Sequence, residues 1–457
     1  AFKMYVNGVD ATVVAADSAY DIPGDTIGQG WAGTKFAGRL DEVAIWDVAL
    51  TDSEVARIYE RQKAAFSGTF TSRVIDVGAW GAGVATWTGF SWIPTLPFYK
   101  EIPDGALQSE VATSYSSIAT DTLSTDLLGL WHMNETAANS APGATDFQDD
   151  SGNGWHASSA GAVVHGESGR FSKAVEFNGA SQISTAPITM GGVVPVTVSL
   201  WMKAPASGSA SAILIKASHF EIGFGNGPGA DKASFWIDAD PSGWRSSGDS
   251  TTSIDDEKWH HIVGLYDGVS FLRIYVDGSL ENSSNIGPLA LYVDTTAIEV
   301  GASGGLVPYT GLVDEVAIWE RALTGAEIAQ LYRRGVNRHL FQLRSCALAD
   351  CSDGIWKGPD NTSTSYFSEL NNNTMPFDGS GDVKKTLPSL SFADFAGLTI
   401  SNNRYVQYRV ILESDAASAT TSPELTSVTV GPTHYDGSAP TIANNVATSF
   451  NTLNAFT

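Results

Sequence analysis

The chain has 457 residues, of which 46 are glycine and 10% aromatic; it is longer than one typical core, and its short Thr/Ser/Val runs between turns read as an all-β protein of roughly two to four domains. Fifty acidic residues against 26 Lys and Arg give a formal charge of −24, which makes nucleic acid and anionic membranes poor partners and leaves cations and neutral glycans. No run approaches the ~18 consecutive apolar residues of a membrane-spanning helix.

The chain repeats itself. Gly38-Arg-Leu-Asp-Glu-Val-Ala-Ile-Trp46 and the following residues to Tyr59 return as Gly311-Leu-Val-Asp-Glu-Val-Ala-Ile-Trp319 and on to Tyr332. Phe2-Lys-Met-Tyr-Val-Asn-Gly8 returns as Leu272-Arg-Ile-Tyr-Val-Asp-Gly278. Residues 1–62 therefore read as the C-terminal part of a domain whose earlier strands lie outside this sequence, in a longer polypeptide, a separate piece or a neighbouring chain. Residues 63–125 read as a β-rich connector. Phe70–Gly78 and Ala85–Trp92 alternate apolar and polar residues as half-buried strands do, Pro94, Pro97 and Pro103 stiffen the path, and Ser114–Ser124 is linker-like.

Residues 126–336 read as a complete copy. Leu128–Met133, Lys173–Phe177, Pro195–Lys203, Lys258–Tyr266 and Phe271–Val276 are strand-like, and Asp277-Gly278 signals a two-residue hairpin. Leu312–Trp319 is a strand that hands over to a helix with apolar positions Leu323, Ile328, Leu331 and Tyr332. Thr324 and Glu327 have capping-box spacing, as do Thr51 and Glu54, while Arg333, Arg334 and Gly335 suit a left-handed stop. Alternation places Asp314 and Glu315 on opposite faces, with Asp314 towards a cation and Glu315 towards solvent or a neighbouring loop. Residues 337–432 form a second β module, with strands at His339–Arg344, Tyr405–Leu412 and Leu425–Gly431, and 433–457 begin another. Cys346 and Cys351 sit in a polar loop without further Cys or His ligands nearby. A small disulfide is favoured there over free thiols, and with it an oxidising, extracellular setting.

Leu130-Trp-His-Met-Asn-Glu135, Asp149-Asp-Ser-Gly-Asn-Gly-Trp-His156, Ala174-Val-Glu-Phe-Asn-Gly179, Val198-Ser-Leu-Trp201, Trp259-His-His-Ile-Val263, Ile274-Tyr-Val-Asp-Gly278 and Leu312–Trp319 follow one another over the complete copy. In that order they resemble the laminin-G-like, concanavalin A-like jelly-roll domains of secreted and surface proteins. The segments after each copy look like the connectors of very long bacterial surface proteins. The resemblance implies a multi-domain array of β-sandwiches. It also implies calcium, held by Asp150, Asn153 and Asp314 with carbonyls near Trp155 and with Glu135; a structural turn at Asp149–Asn153 is the alternative.

Glycan hydrolases on this fold need two carboxylates about 5–9.5 Å apart. Asp314 and Glu320 share a strand face but lie roughly 20 Å apart along it, so no catalytic residue is assigned and no enzyme is expected. His260 and His261 follow a core-like Trp and read as structural. Trp155, Trp236, Trp244 and Tyr309 stand beside Gly, Ser and Asp residues as sugar-stacking rings can, although most tryptophans in a β protein are core. The function expected is a calcium-stabilised structural or adhesive extracellular repeat protein at the cell surface. Its partners would be other copies of the chain, neighbouring surface proteins or glycans. The alternative is a carbohydrate-binding module.

Overall fold

The computed structural model describes residues 66–76, 86–103, 123–369, 388–415 and 421–433, apart from 140, 142, 144, 193, 207–210, 225–230, 241–242, 302–308 and 396, together with 5–6, 9–10, 49–51, 55, 115–116 and 442–444. Residues 1–65 and 66–457 are two compact units. In the first, Tyr5–Val6 pairs antiparallel with Val9–Asp10. Glu54 of the expected Thr51/Glu54 capping pair lies outside the described residues, as does most of 433–457.

The second unit opens with β1 (Phe66–Thr71) and β2 (Thr86–Pro94). A jelly roll follows: β3 (Leu127–Trp131), β4 (Lys173–Asn178), β5 (Val196–Lys203), β6 (Ala212–Lys216), β7 (Phe220–Phe224), β8 (Ala233–Asp240), β9 (Gly243–Ser246), β10 (His260–Tyr266), β11 (Phe271–Val276), β12 (Ala290–Asp294) and β13 (Thr310–Trp319) are its main strands. One antiparallel sheet carries β11, β10, β5, β13 and β4 in that order, with β3 also on β13; the other carries β12, β8, β7 and β6, with β9 on the flank of β8.

Binary patterning explains the layers. Val196, Val198, Leu200 and Met202 of β5 enter the core between the sheets and meet Phe220, Ile222, Phe235 and Ile237 from the opposite sheet. Gly264 on β10 marks a close approach of the sheets, since a Cβ there would stand 2.3 Å from the Phe235 ring. Asp277 and Gly278, both with positive φ, make the expected hairpin turn between β11 and Ser279–Asn285.

Helix α1 (Gly325–Val336) covers the outer face of the sheet containing β13. Its Ile328 and Leu331 pack with Leu130, Val263 and Trp319. Thr324 and Glu327 form the capping box reciprocally, at 3.2 Å and 2.7 Å. The expected stop at Gly335 differs: the helix continues to Val336, and Asn337 caps it in an extended conformation. Gly335 is required by packing, because a Cβ there would lie 2.2 Å from the Trp201 ring.

The chain then adds β14 (Asn337–Cys346), β15 (Tyr405–Ser414) and β16 (Leu425–Thr433). β15 lies between β14 and β1, and β16 pairs along β2 from Leu425↔Pro94 to Thr433↔Thr86. The two small sheets enclose one core of Phe90, Trp92, Phe341, Phe367, Tyr408, Val410 and Val428. The stretches expected as a connector at 63–125 and a separate module at 337–432 thus supply strands to one sandwich, and the jelly roll is inserted between its halves. The reason is in the alternation of β1 and β2: each has one apolar face, and only the later strands offer a surface to bury it.

Candidate functional site

Two places concentrate polar chemistry. The first is the solvent-facing side of the sheet carrying β8. Along β8, Ala233, Phe235 and Ile237 enter the core, so Ser234, Trp236 and Asp238 face outward. Asp238 pairs with Trp244 of β9, and Trp236 pairs with both Ser246 of β9 and Glu221 of β7. Cross-strand partners share a face, so Trp236 and Trp244 are diagonal neighbours on it, with Asp238 and Glu221 beside them. Trp244 is 43% exposed, and Tyr292 on β12, next to core-facing Leu291, is 38% exposed. Desolvation raises the Glu221 carboxyl above the usual range.

Trp236 and Trp244 therefore come together from the residues proposed for sugar stacking. The other two do not join them. Tyr309 is fully buried, with its hydroxyl donating to the Leu312 carbonyl at 3.0 Å and its ring stacked near Phe224. It belongs to the core between the sheets, and burial pushes its hydroxyl pKa up. Trp155 is half-buried against the core, its N–H bound by Asp149 at 2.8 Å and its carbonyl accepting from the Trp131 indole. Glu221, Asp238 and Tyr292 were not singled out in the sequence. Asp238 ends the alternating Ser234–Asp238 run, whereas the place of the others follows from register.

The second place lies under α1. Glu315 has a φ of 50°, and β13 shifts register against β5 between Ser199 and Trp201. This is a β-bulge. Val313 and Val316 both enter the core, so Asp314 and Glu315, each 1% exposed, both face outward towards the helix. The expectation that they point to opposite faces, with Glu315 towards solvent, is corrected: the extra residue breaks the alternation.

Glu315 Oε1 contacts His132 Nδ1, and its Oε2 accepts from the Ile102 N–H at 3.1 Å. His132, just after β3, also lies 3.9 Å from Glu101 and 3.8 Å from Asp150. Glu101 belongs to a strap, residues 95–103, tied down by Tyr99 N–H to the Arg334 carbonyl at 2.6 Å. Among the described residues, Glu101, His132 and Glu315 are the one group of three or more His, Cys, Asp or Glu side chains whose ligand atoms all lie within 4.8 Å of one another.

The ligands that the resemblance implies for calcium are placed differently. Asn153 turns its amide nitrogen to the Leu127 and Leu128 carbonyls, both at 2.9 Å, which is turn chemistry. Asp150 and Glu135 are bridged by Gln148, while Asp314 accepts from the Arg170 and Phe171 N–H groups. Asp150, Glu135 and Asp314 do not form a three-membered group within 4.8 Å, and an imidazole stands beside Asp150. These residues do not fit one all-oxygen shell. Burial, with Glu315 next in effect, raises the Asp314 carboxyl well above its usual range. Burial likewise raises Glu135. Elsewhere, Cys346 and Cys351 form a disulfide. His260 bonds Asp277 and Asp256, and His261 bonds Ser199 at 2.9 Å.

A two-sheet jelly roll closed by a bulged strand and a capped helix defines a concanavalin A-like β-sandwich. The repeated domain is similar to laminin-G-like domains: residues 1–56 and 177–329 match the family model described as the concanavalin A-like lectin/glucanases superfamily. Among solved structures, the chain is similar to domain 4 of AbnA, a GH43 extracellular arabinanase from Geobacillus stearothermophilus, in complex with arabinotriose; identity is 20%, coverage 45% of this chain and 98% of that one, and the TM-score 0.37. It is also similar to the binding domain of Paraclostridial Mosquitocidal Protein 1, with 15% identity, 49% and 61% coverage and a TM-score of 0.37. Botulinum neurotoxin type C, whose cell entry depends on two ganglioside molecules, matches with 13% identity, 55% and 64% coverage and a TM-score of 0.37. The chain thus spans less than two thirds of the latter two. No curated protein matches significantly. Among the described residues, no helix is long and apolar enough to cross a membrane.

Proposed function

We propose that the jelly roll is an extracellular carbohydrate-binding module that lays a neutral glycan across the outer face of β7, β8 and β9. The observation carrying this is the register that sets Trp236 and Trp244 diagonally on one solvent face, with Asp238 and Glu221 as their cross-strand neighbours. Indole faces stack on the C–H faces of sugar rings, and carboxylates accept from their hydroxyls. A sulfated or uronic glycan is disfavoured by the same carboxylates and by the chain's charge of −24. The matching family's description includes lectins, and the disulfide suits an oxidising compartment.

Affinity electrophoresis or calorimetry against a panel of neutral polysaccharides tests the reading. Wild type is expected to bind at least one, and Trp236→Ala or Trp244→Ala to weaken it by roughly tenfold or more, the loss of one good stacking contact, with the melting temperature unchanged. Absence of binding across the panel overturns it. We assign binding without cleavage, and release of reducing ends that Glu221→Gln abolishes would overturn that half.

A second reading, a segment of an adhesive surface array, is favoured by the insertion of the jelly roll into a split sandwich. Arg170 of the jelly roll bonds Asp415 of that sandwich at 2.8 Å, holding the two to each other.

A further inference from the structure

We propose that Glu101, His132 and Glu315 bind a divalent transition-metal ion of the zinc class, clamping the strap of residues 95–103 onto the jelly roll. The three come from distant parts of the chain: Glu101 from the strap that leaves β2, His132 from the segment after β3, and Glu315 from the bulge of β13. The side chains of Glu101 and His132 are no more than 2% exposed, as is that of Glu315. Asn134 donates to Glu101 Oε1 and the Arg334 guanidinium to the Glu101 carbonyl, so the imidazole and the two carboxylates converge within a polar, buried setting. Two carboxylates buried side by side repel, and removing them from water is costly unless a cation offsets it.

A second observation points the same way. Asp314, the bulge neighbour of Glu315 on the same outer face, is 1% exposed, and its Oδ1 has no hydrogen-bond partner. That carboxyl is a buried neighbour of the group of three and is not one of its members. The bulge itself has a use here. Without it Glu315 would enter the apolar core, and with it the carboxylate reaches His132.

The donor set chooses the metal. Calcium takes six to eight hard oxygens, whereas one imidazole nitrogen and two carboxylates are the ligands of zinc, cobalt or manganese.

The full chain, stripped with a chelator and dialysed, is to be titrated separately with Zn2+, Co2+ and Ca2+. One equivalent of Zn2+ or Co2+ is expected to bind, with Co2+ developing visible absorption, and the melting temperature is expected to rise. Glu101→Gln, His132→Asn and Glu315→Gln should each weaken Co2+ binding by tenfold or more, whereas Glu135→Gln should retain it. The far-UV spectrum of each variant establishes that it is folded, and wild-type stoichiometry needs no variant at all. Failure of wild type to bind Zn2+ or Co2+ stoichiometrically overturns the proposal. So does Co2+ binding that survives both Glu101→Gln and His132→Asn, or stabilisation by Ca2+ alone.

Discussion

Trp92 distinguishes a split sandwich from a module with a separate connector before it. Its indole on β2 is 1% exposed, 4.7 Å from the Phe341 ring and 5.6 Å from Phe90. Trp92→Ala removes roughly 200 Å2 of buried aromatic surface, about 5 kcal/mol at ~25 cal/mol per Å2. The indole N–H is buried without a partner, so its removal returns about 1–2 kcal/mol of desolvation. The net loss of about 3–4 kcal/mol is a large share of the ~5–15 kcal/mol that holds a domain together. At about 4–8 °C per kcal/mol for ~100 residues it lowers the melting temperature by roughly 15–30 °C. Calorimetry of the full chain should show that fall in the sandwich transition alone, with faster amide exchange along Val406–Leu412. A fall below about 3 °C, or exchange there equal to wild type, refutes the shared core.

Asp415, 9% exposed in its side chain, accepts from Arg338 at 2.6 and 2.7 Å and from Arg170 at 2.8 Å. Asp415→Asn should therefore cost about 3–5 kcal/mol in denaturant, and a loss under about 1 kcal/mol would mean the arginines find other partners. Those guanidiniums hold its pKa below the usual range, so its contribution is complete above about pH 4 and fades only under strong acid. His339 is buried with both ring nitrogens lacking partners, and burial pushes its pKa down to about 3. The unfolded chain takes up a proton near 6.5 that the folded chain refuses, so stability falls as pH drops below 6.5, at up to ~1.4 kcal/mol per unit. His339→Phe should flatten that slope between pH 6 and 4 in urea titrations, and an unchanged slope counts against it. Gly264→Ala should cost about 1–3 kcal/mol through the Phe235 clash, and a stabilised variant would show the sheets can part. Glu327→Gln should lower stability by about 1 kcal/mol through the cap. Arg321 and Thr324 depress the Glu327 pKa to about 2, so this difference should be full above pH ~4.5 and vanish as pH falls towards 2.

Local structure was legible wherever one residue's neighbours in sequence decide it. The alternation of Val196–Met202, the Asp277-Gly278 turn and the Thr324/Glu327 cap all follow from short-range rules, and the structure forms each of them. Pairing was not legible. β1 and β2 look like strands, but nothing in them names β15 and β16 as partners hundreds of residues later. The bulge at Glu315 is likewise set by the register of β13 against β5, so Asp-Glu reads as an ordinary alternating pair. The two sites fared accordingly. Trp236 and Trp244 could be marked as exposed-capable aromatics, whereas Glu101 and His132 meet Glu315 only through tertiary packing.

The insertion has a mechanical side. Phe66 and Thr433 both lie in strands of the host sandwich, so tension applied between them enters through β1 and leaves through β16. The jelly roll hangs as a loop from that host and carries no pull until the host strands shear apart. Modules joined simply in series would each bear the whole force. In this topology tension between those two ends would load the host strands before the sheet bearing Trp236 and Trp244.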